Sequence, residues 1–265
     1  MIRIDMKDQA VLITGGTKGI GLATALQFGQ AGARTYLTYK WGSADEAHIY
    51  DAFKARKAPE PRLIEADVTV DADTDNLLEQ IKKREKRIDF FISNVGVARR
   101  ARSLRDYRKR SLFKTLEYST WPLIEYTRKI HKVFGFYPKH ILGISSDGPD
   151  HFYKGYDFVA ASKTLLEFFA KYLSVHLFEE GSRVNVIRFG PVKTESFDLV
   201  FGEEFFQFLK DNDVPDEMII QPEECGKAVL AVCSGLLDAM NGQIITVDKG
   251  MAFRDNLMMR YLSKQ

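Results

Sequence analysis

A phenol and a lysine seven positions apart, Tyr156 and Lys163, follow a serine hydroxyl at Ser146. A phenol can donate to an oxygen that gains negative charge during a reaction, and a neighbouring ammonium stabilises such charge. Seven residues make nearly two helical turns, so the two side chains can share a face. Helical side chains lean toward the N-terminus, however, so the spacing predicts that Tyr156 sits at a distorted or pre-helical turn. Tyr153 is a rival donor three residues earlier. Outside catalysis, Tyr156 reads as a buried or interface tyrosine and Ser146 as a turn cap.

A second group is Thr14-Gly-Gly-Thr-Lys-Gly-Ile-Gly21, which includes Gly15, Thr17, Lys18, Gly19, Ile20 and Gly21. Small residues between a strand and a helix let the backbone approach a pyrophosphate at the helix N-terminus. The bland alternative is a tight turn with no ligand.

The elements that must position these groups alternate between strand-length apolar runs and longer stretches of helical period. Strands are expected at 10–14, 35–39, 62–65, 89–93, 140–145, 183–188 and 243–247, and helices at 19–31, 44–57, 73–83, 112–133, 156–179 and 222–234. Such alternation predicts an α/β fold with a doubly wound, parallel, seven-stranded sheet. The chain of 265 residues fits one domain, 1–265. Pro122 is expected to kink its helix. Two apolar stripes from position 156 onward, Leu165, Phe169 and Tyr172 beside Leu166, Ala170, Leu173 and Leu177, predict burial on two sides and hence an oligomer.

A net charge of +2 is too mild for a nucleic-acid binder, and no apolar run reaches membrane-helix length. Cys225 and Cys233 lack metal or redox spacing and read as reduced thiols of a cytoplasmic protein. His48, His131, His140, His151 and His176 show no metal spacing, so no metal is expected; only His151 lies close to the expected substrate edge.

The spacing of Gly15, Gly19 and Gly21 resembles the Thr-Gly-x-x-x-Gly-x-Gly loop of the short-chain dehydrogenase/reductase family. Further landmarks of that family follow in order: Asp67-Val68, Ser93-Asn94-Val95-Gly96, Ser145-Ser146 and Gly190-Pro191. The usual Tyr-x-x-x-Lys is broken, because Val159 stands four before Lys163. Tyr156 and Lys163 instead resemble the Tyr-x6-Lys of enoyl-acyl carrier protein reductases, a divergent branch, as does Phe189-Gly-Pro-Val-Lys-Thr194. The glycine loop is the ordinary family version, which resembles the NADPH-using type of enoyl reductase. By spacing, the family's helix asparagine falls at Glu117.

The resemblance implies a Rossmann-type reductase, homotetrameric or homodimeric, with Tyr156, Lys163 and Ser146 catalytic. It places cofactor contacts at Gly15, Thr17, Lys18, Gly19, Ile20, Gly21, Lys40, Asp67, Val68, Asn94, Gly96, Lys163, Gly190, Pro191, Val192 and Thr194. Asp67 would hold the adenine amino group, Gly96 would line the adenosine, and Thr194 would meet the pyrophosphate or carboxamide. NAD enzymes usually carry an acid at the end of the second strand, whereas this chain has Thr38, Tyr39, Lys40 and Trp41 there. Lys18 and Lys40 can both face a 2′-phosphate, which favours NADPH, although both also read as ordinary solvated lysines.

Between Arg99 and Arg110 lie seven basic residues and one acid, Asp106. Such a patch can steer an acyl carrier protein, the phosphate of its arm or coenzyme A, or be a solvated face. In relatives the tail after residue 250 covers the pocket or meets a neighbouring subunit. The expected activity is NADPH-dependent reduction of an enoyl thioester, carrier or CoA linked, in fatty-acid or specialised-metabolite assembly. The alternatives are a ketone or aldehyde reductase with a relocated tyrosine, and a non-catalytic NADP-binding partner or regulatory subunit.

Overall fold

Strand β1 (Ala10–Ile13) is buried along its whole length because it supplies both faces of the sheet. Ala10 and Leu12 pack into one core, and Val11 and Ile13 into the other, as the two-residue period of a strand requires. The computed structural model describes residues 4–97, 100–101, 103–212 and 214–254. Six further strands join β1: β2 (Arg34–Tyr39), β3 (Arg62–Glu65), β4 (Phe90–Ser93), β5 (His140–Ser146), β6 (Arg183–Phe189) and β7 (Ile244–Val247). All pairs are parallel, in the order β3-β2-β1-β4-β5-β6-β7.

Helices cover both faces. On one side α1 (Gly19–Gln30), α2 (Glu46–Ala55) and α9 (Pro222–Cys233) bring Phe28, Ile49, Phe53 and Val229 onto the sheet. On the other, α3 (Asp71–Lys82), α5 (Trp121–Phe134) and α6 (Asp157–His176) bring Leu77, Ile81, Tyr126, Ile130 and Leu166. Helix α1 meets α9 so closely that a Cβ on Gly226 would stand 2.5 Å from the Ala23 carbonyl oxygen. Cys225 and Cys233 are buried free thiols whose pKa values burial raises, Cys225 to about 12.

One helix expected at 112–133 is two. Helix α4 (Lys109–Ser119) ends at Thr120 and α5 begins at Trp121, so Pro122 occupies a first-turn position and starts a helix instead of kinking one. The structure also contains α7 (Glu195–Phe201), α8 (Phe205–Asp211) and the short α10 (Met251–Arg254), which the sequence reading left out. Residues 255–265 of the tail lie outside the described residues.

Strand order reverses between β1 and β4, and at such a point the chain leaves the two strand ends in opposite directions and opens a crevice. The glycine loop after β1, residues 94–96 after β4 and Ser146 at the end of β5 all open onto that edge. Among the described residues no helix is long and apolar enough to cross a membrane.

Candidate active site

A cleft of about 780 Å³ runs along the C-terminal ends of the strands. It is lined by Gly15, Thr17, Lys18, Gly19, Ile20, Lys40, Asp67, Val68, Asn94, Gly96, Ser146, Tyr156, Lys163, Gly190, Val192 and Thr194. Gly21 and Pro191 do not line it. The place of Gly21 is behind the loop, where a Cβ would stand 2.2 Å from the Gly15 carbonyl oxygen. The loop is held from both neighbouring strands. Gly15 N donates to Thr38 Oγ1 at 3.1 Å, and Asn94 Nδ2 donates to the carbonyls of Thr14 and Gly15 at 3.0 and 3.1 Å. Thr194 caps α7, its hydroxyl accepting from Phe197 N at 3.2 Å.

At the expected adenosine end the residues interact with one another. Lys40 Nζ lies against both the Asp67 carboxylate and the Tyr118 hydroxyl, and 3.8 Å from the centre of the Trp41 ring. Asp67 also accepts from Thr69 N and Oγ1 at 3.0 and 2.9 Å. Burial works against this carboxylate, but Lys40 and Thr69 outweigh it and hold its pKa below the usual range. Lys18 is exposed and pairs with Glu195 at 3.7 Å. No acid occurs at residues 39–43, although Glu65 Oε1, from β3, accepts from Gly42 N at 3.3 Å.

At the other end Tyr156 caps the start of α6 with φ −100° and ψ 3°, after Gly155 at φ +85°. The left-handed residue turns the chain just before the helix, so the phenol is free of the helical lean and reaches back toward β5. Tyr156 Oη donates to Ser146 Oγ at 3.1 Å. Burial raises the pKa of Tyr156, the Ser146 bond opposes this and Asp147 adds to it. The phenol therefore keeps its proton at neutral pH and acts as a donor.

Lys163 is 7% exposed and donates to the Ile144 carbonyl at 2.7 Å. Burial lowers its pKa to about 8, with Glu167 one turn along acting in the opposite sense. Val159 is buried beside them and offers no polar group. Tyr153, the rival donor, gives its hydroxyl to Asp147 Oδ2 at 2.6 Å, and its ring meets Tyr156 edge-on at 6.0 Å. His151 is exposed and bonds through Nδ1 to the Asp147 carbonyl at 3.1 Å.

Glu117 is exposed, pairs with Lys114 at 3.7 Å and does not line the cleft. Buried Ser119 borders the space beside Gly96 together with Lys163: a point one Cβ out from Gly96 lies 3.7 Å from Ser119 Oγ and 3.6 Å from Lys163 Nζ.

The sequence reading also missed the aromatic wall. Phe197 and Phe201 of α7 line the cleft with Leu199 and Val200, and the Phe201 ring lies 5.5 Å from that of Tyr156. Phe197, Phe201 and Phe205 recur at four-residue spacing, the signal that could have identified them. In the basic stretch, Arg100 lines the cleft while Arg105, Arg108, Lys109 and Arg110 are exposed; Arg99 and Arg102 lie outside the described residues. No group of His, Cys, Asp and Glu suited to a metal occurs among the described residues.

A nicotinamide dinucleotide fits these walls. The backbone of Gly15 and Gly19 is open to the cleft at the N-terminus of α1, where a pyrophosphate is favoured, and the cleft is long enough to reach Lys163 and Tyr156.

Comparison with known proteins agrees with this geometry. Residues 15–252 match the family model described as Enoyl-(Acyl carrier protein) reductase. The NADH enoyl-[acyl-carrier-protein] reductase FabI of Aquifex aeolicus (strain VF5) is 23% identical over 253 residues, 92% of each chain. The chloroplastic NADPH-dependent aldehyde reductase 1 of Arabidopsis thaliana is 25% identical over 258 residues, 92% of this chain and 86% of its own. A putative gluconate dehydrogenase from Agrobacterium tumefaciens superposes with a TM-score of 0.82 at 21% identity, covering 95% of this chain and 98% of its own. With its parallel sheet, its glycine loop and a match over residues 15–252 to the family model described as Enoyl-(Acyl carrier protein) reductase, the chain belongs to the short-chain dehydrogenase/reductase family and is an oxidoreductase with a nicotinamide cofactor.

Proposed function

We propose that this protein reduces the carbon–carbon double bond of an enoyl thioester at the expense of NADPH. The observation that carries the reading is the phenol of Tyr156, bonded to Ser146 in the same cleft as Lys163, while Val159 fills the place four before the lysine. Bound NADPH would supply the hydride that Cβ of the conjugated alkene accepts. Negative charge then moves onto the thioester oxygen, where the Tyr156 hydroxyl donates a hydrogen bond. Lys163 holds the nicotinamide ribose and stabilises the same charge. Ser146 keeps the phenol oriented. The apolar wall of Phe197, Leu199, Val200 and Phe201 suits an acyl chain and excludes water from the enolate.

The preference for NADPH rests on Lys18 and Lys40 and on the absence of an acid at 39–43. Lys40 has the Asp67 carboxylate as its partner, and a 2′-phosphate is a stronger dianionic one. Exposed Arg100, Arg105, Arg108, Lys109 and Arg110 offer a path for an acidic carrier protein or the phosphates of coenzyme A.

Removing an oxyanion donor costs about 10²–10³ in kcat, so Tyr156→Phe should lose that much with a short enoyl thioester and NADPH. Undiminished reduction overturns the assignment. The same assay with NADH should give at least about tenfold lower kcat/KM, as expected when two charge-assisted bonds to a phosphate are lost. A second reading, carbonyl reduction, is favoured by the second phenol at Tyr153, in edge contact with Tyr156. Turnover of aldehydes or ketones without turnover of enoyl thioesters selects it. Cofactor binding with turnover on neither panel selects a non-catalytic partner.

A further inference from the structure

A charged cluster behind the cleft touches each of the elements that carry the reacting groups. Glu167 lies on α6 one turn after Lys163 and is 4% exposed. Its Oε1 accepts from Ser145 Oγ at 2.7 Å, next to Ser146 at the end of β5. Arg188 of β6 grips the same carboxylate with both arms of its fork, Nε to Oε1 at 2.7 Å and Nη2 to Oε2 at 2.6 Å. Its remaining nitrogen, Nη1, is bonded to Asp150, in the loop that runs from β5 to Tyr156. A buried carboxylate is costly, and a hydrophobic pair would fill the space as stably. The arrangement therefore calls for a purpose beyond stability.

We infer that Glu167 and Arg188 are positioning residues that hold Ser146, the Tyr156 loop and Lys163 in one register, and that Glu167 also sets the charge state of Lys163. The inference rests on the reading of Tyr156 and Lys163 as the reacting pair. The bidentate fork fixes the relative placement of α6 and β6, and the Ser145 bond ties β5 to both. The Asp150 contact anchors the loop whose far end is Tyr156. Around Lys163 stand Glu167, one turn along its own helix, the Ile144 carbonyl from β5 and, across the space beside Gly96, Ser119 from α4; Tyr156, Ser146 and Lys163 line the same cleft. Arg188 reaches the lysine only through Glu167. Glu167 stands one helical turn from Lys163, and its carboxylate holds Ser145, the residue next to the Ile144 carbonyl that Lys163 bonds.

Two variants and two readouts test this. Glu167→Gln keeps the shape and removes the charge. In the cofactor-free protein the titration midpoint of Lys163, followed by the NMR signal of its side-chain nitrogen, should fall by about one pH unit, the usual effect of losing an adjacent opposite charge. The basic limb of the kcat profile should move with it. The double variant Glu167→Gln/Arg188→Met leaves no unpaired buried charge, so it should melt within a few degrees of the parent. A merely structural pair would then restore turnover, whereas a positioning pair leaves kcat at least about tenfold down with KM for NADPH nearly unchanged. Parental kcat in the folded double variant, or an unmoved Lys163 midpoint in Glu167→Gln, overturns the inference. If instead Tyr156→Phe retains full activity, the underlying reading of the site fails, and the Lys163 midpoint still reports on Glu167.

Discussion

Burial disfavours the charged form of two residues in this cleft and so moves their pKa values in opposite directions. Burial keeps Tyr156 protonated and makes the Lys163 ammonium expensive. For Lys163 the folded pKa, about 8, lies below the ordinary lysine value of 10.5. Between those values the unfolded chain binds a proton that the folded one does not, so stability rises with pH across that window. Below it the folded protein carries the full cost, on the order of 3 kcal/mol, offset by roughly 1 kcal/mol from the bond to Ile144. Lys163→Met should therefore melt no lower than the parent at pH 7 in a thermal scan, and lose that advantage by pH 10. Turnover should fall at least about a hundredfold. A variant that is both less stable at pH 7 and still active would show that the charge is neither costly nor used.

Helices and strands set how far such groups can be brought together. Tyr156 reaches Ser146 because α6 begins one residue after it. Ser119, the last residue of α4, and Lys163 of α6 border one space beside Gly96 because the two helices pack against each other. The same backbone-level constraint operates at the cofactor end, where α1 must sit deep enough for its N-terminus to face the cleft. Contact of Gly226 on α9 with the Ala23 carbonyl allows this depth. Gly226→Ala should push α9 off α1 and cost about 1–3 kcal/mol, read as a lower urea midpoint at unchanged slope. An unaltered midpoint would mean that the two helices have room to spare.

Across the whole molecule, the apolar residues of α6 divide between inside and outside. Leu166, Ala170 and, just past the helix end, Leu177 are buried, whereas Leu165, Phe168, Tyr172 and Val175 are exposed, and the Phe168 and Tyr172 rings meet tilted at 4.7 Å. Phe113 on α4, the helix packed beside α6, is also exposed. Exposed apolar surface of that kind is normally covered by another molecule, and the expectation of an oligomer assigns that place to a second copy of the chain. Light scattering of the purified protein should give a dimer or tetramer, and Phe168→Asp/Tyr172→Asp a smaller species. A monomeric parent would refute the assembly.

Much of this architecture was already written in local patterns. Alternating periods specify a parallel α/β sheet because a strand buried on both faces must be apolar throughout, and the glycine spacing after β1 specifies a turn that only small residues can make. That Tyr156 and Lys163 line one cleft was legible for the same reason: both belong to one short segment. Local pattern could not reveal that Lys40 and Asp67, 27 positions apart, would meet, that Glu167 would be claimed by Arg188, or that the phenylalanines of α7 would roof the cleft. Those contacts join residues on different strands and helices, and their geometry exists only once the sheet has closed its order and the helices have docked on it.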